Sequence, residues 1–117
     1  MRVAIPDSGG RVERVADNAT LLVVIDLRDG RREHGFETLL TNRSMRDRAS
    51  ELAEMRVDVL LCNEISHAFQ SLIMAYGIEV QPRCTGSVDE VIERFVHRYR
   101  WGEIPLDDQS PQLDALS

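Results

Sequence analysis

Seven side chains in this sequence have the types and spacing to do chemistry together: Cys62, Cys84, His67, Asn63, Arg11, Arg14 and Arg83. Thiolate and imidazole are the soft donors that iron, copper and zinc prefer, and thiolates are the usual anchors of metal–sulfide clusters. Guanidinium groups are permanently charged forks that suit anions. A site holding two thiols, one imidazole and three arginines would therefore be an anion site with soft ligands nearby. Inert readings compete at each position. A free cysteine is among the most buried residue types, so Cys62 could be a small core thiol. Cys84 could be a neutral loop residue, His67 a solvated rim residue, and the arginines solvated loop charges. His34 and His97 read as surface residues, His97 lying between Arg94 and Arg98 on the outer face of a helix.

Composition narrows the classes. Fourteen basic residues stand against 20 acidic ones, a formal charge of −6. That excludes a partner held by phosphate neutralisation, so no nucleic acid is expected. Every basic residue is Arg, and without Lys neither Schiff-base nor P-loop chemistry is open. The cysteines are 22 positions apart and neither lies in a C-x-x-C pair, so zinc-site spacing is missing. No apolar run approaches the roughly 18 residues needed to span a bilayer, and no signal-peptide core follows Met1. A cytoplasmic protein without a disulfide or membrane partner is the expectation.

The elements that must position these residues follow from pattern. "RVAIP" (Arg2–Pro6) reads as a strand leading into the turn-rich loop Asp7-Ser8-Gly9-Gly10. "TLLVVIDL" (Thr20–Leu27) is a near-continuous aliphatic run, as a strand covered on both faces requires. Asp29-Gly30 is a hairpin signal, so "RREHGFETLL" should return antiparallel as a polar edge strand that could support a weak homodimer. Ser44 opens a helix whose apolar face is Met45, Ala49, Leu52 and Ala53. "VDVLLC" is a strand, and Ser66 caps a helix running to Gly77 that is apolar nearly all round. "IEVQP" is the last strand. Ser87 and Glu90 form a capping box before an amphipathic helix that Gly102 closes. The expected sum is a single α/β domain over residues 1–102, with five strands in a mixed sheet and three helices. Residues 103–117, with four acids and no base, read as a mobile tail.

In open α/β sheets ligands bind beyond the carboxyl ends of strands, at the point where strand order reverses. The loops carrying Asp7, Cys62-Asn63-Glu64 and Arg83-Cys84 should meet there. Acids after adjacent strands also raise a two-metal nuclease, with Asp7 and Glu64 as ligands, but such a site needs three or four carboxylates and a basic channel.

At this point the chain resembles the dinitrogenase iron–molybdenum cofactor biosynthesis family, the NifX-like proteins and NifB C-terminal domains. The resemblance rests on "MRVAIPDSGGRV", "VVIDLRDG", "VDVLLCNEIS", "YGIEV" and "TGSVDEVIERF", in that order. It implies a ribonuclease-H-like fold with strand order 3-2-1-4-5 and the second strand antiparallel. It also implies a non-enzymatic carrier of an iron- or molybdenum-sulfide cluster or precursor, exchanging cargo with donor or acceptor proteins. Cys62, Cys84 and His67 become the candidate metal ligands, and Arg11, Arg14, Asn63 and Arg83 the residues around the cargo. Two stretches depart from the family pattern. "VADNA" (Val15–Ala19) stands where relatives carry a His-Phe-Gly-Arg-Ala-like segment, and Asn63–His67 replaces a Gly-rich turn. A metal-free interaction module on the same scaffold is the alternative.

Overall fold

The computed structural model describes residues 1–100. β1 (Arg2–Ser8) is the buried centre of the sheet, and Gly9-Gly10 turn the chain back into a two-residue strand, β2 (Arg11–Val12). Both glycines have φ in the left-handed region, 62° and 90°, which a tight hairpin turn of this hand requires. The Asp7 carboxylate accepts the Gly10 N–H at 2.8 Å and holds the turn closed. A single 3-10 turn (Ala16–Asn18) leads to β3 (Leu21–Arg28), which pairs antiparallel with β1. Asp29 and Gly30, with φ of 54° and 74°, make the expected hairpin to β4 (Arg31–Leu39). Then come α1 (Met45–Glu54), β5 (Val59–Leu61), α2 (His67–Met74), β6 (Glu79–Gln81) and α3 (Val88–Arg100).

The sheet runs β4-β3-β1-β5-β6, with β2 on the end of β1, and β5 and β6 parallel to β1. Among the described residues it has six strands rather than five, because the glycine loop after the first strand is itself a hairpin. Side chains alternate between two cores. Ala4, Leu22, Val24 and Leu60 meet α1 and α2 through Ala49, Leu52, Phe69 and Ile73. Val3, Ile5, Ile25, Val59 and Leu61 meet α3 through Val88, Val91, Ile92 and Phe95.

Caps account for where the helices begin. Ser44 accepts from the Asp47 N–H and Ser66 from the Phe69 N–H. Ser87 and Glu90 bond reciprocally at 3.1 Å in both directions. Two expectations about helix faces need correction. α2 is not buried all round: Phe69 and Ile73 are covered, whereas Ala68, Met74, Ala75 and Tyr76 are exposed, because only one face of α2 can reach the sheet beside α1. Met45, in the first turn of α1, is 38% exposed for the same reason, lying beyond the end of the covering layer. The closing role of Gly102 and the tail over 103–117 fall outside the described residues.

Candidate functional site

The three strand-end segments do meet, and backbone hydrogen bonds join them. Val12 N donates to Gly86 O at 3.0 Å and Val88 N to Gly10 O at 2.9 Å. On the other side Glu64 N donates to Arg14 O at 3.0 Å and Ala16 N to Glu64 O at 2.8 Å. Arg83 N and Cys84 N donate to Asn63 O and Cys62 O, both at 2.9 Å. The segment from Gly10 to Ala16 thus lies across the carboxyl ends of β5 and β6 and ties the loops into one rim.

The side chains divide within that rim. Cys62 is fully buried among Phe69, Leu52 and Ile73, on the α1/α2 side. Burial, with smaller contributions from Cys84 and Asp17, pushes its thiol up to about 12. Cys84 is half-buried and packs against the α3 core. Burial raises its thiol as well, while Arg94 and Arg98 pull in the opposite direction. The two thiols therefore belong to different cores, and His67, exposed at the first residue of α2, joins neither. Arg11 is exposed, as is Arg14, whose guanidinium lies 3.9 Å from the equally exposed Glu64 carboxylate. A pair so solvated contributes little to stability. Asn63 is half-buried. Asp7 and Glu64, the acids of the nuclease alternative, are engaged with Gly10 and Arg14.

The concave feature nearest the candidates lies between the β6–α3 connection and α3. It is a cleft of about 450 Å³ bordered by Arg83, Cys84, Arg94 and Arg98, with Leu61 and Phe95 among its apolar lining. Arg83 sits at φ 65°, a left-handed conformation that costs a residue with a Cβ about 1–2 kcal/mol and recurs where function constrains the backbone. Arg94 is held by a 2.6 Å bond from its guanidinium to Thr85 O. The Cys84 thiol lies 3.4 Å from Gln81 O. Three permanent cations around one thiol make a site for a soft-centred anion. Among the described residues no three His, Cys, Asp or Glu side chains gather into a ligand set, so charge and a single thiol are what this cleft offers.

Sequence reasoning missed Arg94 and Arg98, reading them as flanks of an outward His97. Their four-residue spacing, on the face shared with Val91 and Phe95, was the available signal. It also missed Asp17. From the 3-10 turn, Asp17 accepts the Ser66 N–H at 2.9 Å and the Ser66 hydroxyl at 2.6 Å, clasping the start of α2.

A sequence profile described as "Dinitrogenase iron-molybdenum cofactor" matches residues 1–98. The chain belongs to that family. The description of the dinitrogenase iron–molybdenum cofactor family associates its members with that cofactor. Solved structures resemble it in fold. The crystal structure of PH0822 superposes with a TM-score of 0.78 at 20% identity, covering 83% of this chain and 91% of that one. MJ0327 from Methanocaldococcus jannaschii gives 0.69 at 15% identity, over 83% and 88% of the two chains. The apo form of the orange protein from Desulfovibrio gigas gives 0.64 at 21%, over 95% and 96%. At these identities the likeness carries the α/β fold. Comparison with curated protein sequences found no match. Among the described residues of this family member, no helix is long and apolar enough to cross a membrane.

Proposed function

We propose that this protein is a non-catalytic, cytoplasmic accessory carrier of an anionic iron- or molybdenum-sulfide cluster, or of a precursor, exchanged with donor and acceptor proteins. The same reading takes the fold as ribonuclease-H-like. One observation carries it: the Cys84 thiol set among Arg83, Arg94 and Arg98 in a cleft at the carboxyl end of β6. Cys84 serves as the thiolate ligand, its proton released to solvent as the metal–sulfur bond forms. The three guanidinium groups balance the charge of the cargo. Arg11, Arg14, Asn63 and His67 line the neighbouring rim, where cargo enters or a partner docks. Cys62, with its thiol held protonated, supports the site from beneath through its backbone bond to Cys84.

A second reading, a metal-free interaction module, is favoured by Asp17. In the segment where the family resemblance implies a histidine, this chain has a carboxylate that accepts from Ser66, the N-cap residue of α2.

The deciding experiment loads anaerobically purified protein with tetrathiomolybdate or with iron and sulfide, desalts it and measures bound metal. Near-stoichiometric retention is expected in the wild type and in Cys62→Ser, with loss in Cys84→Ser and in the Arg94→Ala/Arg98→Ala double variant. Equal retention in every variant moves the cargo away from the cleft. No retention in the wild type overturns the carrier reading in favour of the interaction module.

A further inference from the structure

A second concavity, away from Cys84, lies where the 3-10 turn, the end of β4 and the start of α1 converge. It is a cleft of about 590 Å³ with Asp17, Asn18, Thr20, Thr41, Arg43 and Arg48 as its polar lining. Arg48 is the unusual member. It is 7% exposed, one of two buried charged residues among those described. A guanidinium cannot shed its proton when buried, as a lysine can, so its charge must be met by acceptors. One nitrogen donates to Ala19 O. The Nε is buried without any acceptor. The nearby carboxylate of Asp17 is engaged by Ser66. Neither Arg43 nor Arg48 forms an ion pair among the described residues. Glu51, a turn further along α1, has its own unpartnered buried oxygen, but it makes no ion pair with Arg48 and does not border the cleft.

A buried cation whose Nε has no acceptor among the described residues, bordering a cavity lined by hydroxyls, an amide and the Asp17 carboxylate, is an incomplete arrangement. We propose that this cleft binds a small tetrahedral oxyanion of the phosphate type. Arg48 supplies the buried charge and Arg43 the second charge at the mouth. The Thr20 and Thr41 hydroxyls and the Asn18 amide offer further donors. Two fixed positive charges against the one Asp17 carboxylate, already engaged by Ser66, leave the cleft with an excess of positive charge that suits an anion. The site is separate from the cargo cleft and does not depend on the carrier reading.

The test titrates the full chain, free of metal, with inorganic phosphate at constant ionic strength, following heat of binding and melting temperature. A one-site isotherm and a saturable rise in melting temperature are expected, with Arg43→Ala weakening affinity at least tenfold on an unchanged fold. Arg48→Met should abolish the response yet melt no lower than wild type in phosphate-free buffer, since it removes an unneutralised buried charge. Cys84→Ser should bind phosphate as wild type does. The proposal is overturned by a linear, salt-like rise that Arg48→Met shares, or by binding that Arg43→Ala leaves intact. Acetate saturating at the same concentrations overturns the assignment to a tetrahedral oxyanion, and a phosphate-free loss of stability in Arg48→Met overturns the site by identifying the guanidinium as a structural tie to Ala19.

Discussion

The Cys84 N–H donates to the Cys62 carbonyl at 2.9 Å, yet the two thiols enter different cores, one beneath α1 and α2 and the other beneath α3. Main-chain adjacency at a strand end therefore does not make the pair a chelate. It leaves Cys62 closed within one core and Cys84 half-buried at the cleft.

Thiol reactivity should follow that division. With the Cys62 thiol pushed up to about 12, almost none of it is thiolate at pH 8, and the buried site is closed to reagents besides. Iodoacetamide should label Cys84 in the native protein, and Cys62 only at the rate of opening of the α2 region. Peptide mass spectrometry over time gives both rates. Equal labelling of the two would contradict the assignment of Cys62 to a closed core.

Asp17 is expected to matter for stability although it lies in an irregular segment. Asp17→Ala leaves the half-buried Ser66 N–H without its partner and removes a charged group from the N-terminus of α2. The cost should be about 1–3 kcal/mol by urea denaturation, with Asp17→Asn recovering part of it. A change below about 0.3 kcal/mol would show that the clasp is not formed in solution.

Arg83 offers a way to separate fold from cargo. At φ 65° a glycine meets no penalty for lacking a Cβ, so Arg83→Gly should leave stability unchanged or raise it by up to about 1 kcal/mol. The same variant should retain less tetrathiomolybdate, having lost one of the three cations of the cleft. A large loss of stability would mean that the side chain packs in a way its exposure does not suggest.

Acid sensitivity should trace in part to the Arg2–Asp26 pair at 2.8 Å. The hydrogen bond from Arg2, more than the charges around it, lowers the Asp26 carboxyl below its ordinary 3.8. A depressed folded-state value contributes stability above the unfolded value, and that contribution is lost as pH falls through the folded one. Asp26→Asn should therefore lower the urea midpoint at pH 7 and narrow the gap from wild type below about pH 4. Urea midpoints between pH 2.5 and 7 measure it, and a gap constant with pH would assign the loss to packing instead.

The sequence by itself determined the order of elements, the Asp29-Gly30 hairpin, the Ser44, Ser66 and Ser87 caps, and the convergence of the three strand-end loops. Each is written in neighbouring residues: a φ preference, a hydroxyl three positions before an N–H, or a run of β-branched side chains. It also contained Gly9-Gly10, but a two-residue strand has too little pattern to stand out from a loop. What only the tertiary structure decided is which side of the sheet each side chain serves. Cys62 follows β5 directly, whereas Cys84 lies beyond β6 and the left-handed Arg83, so the two share a rim and still sit in separate cores. Arg94 and Arg98 joined Cys84 because α3 packs over the end of β6. Arg48 became a buried charge because α1 closes against Ala19, 29 positions away. Such pairings are set by how layers stack, and no local stretch of sequence encodes them.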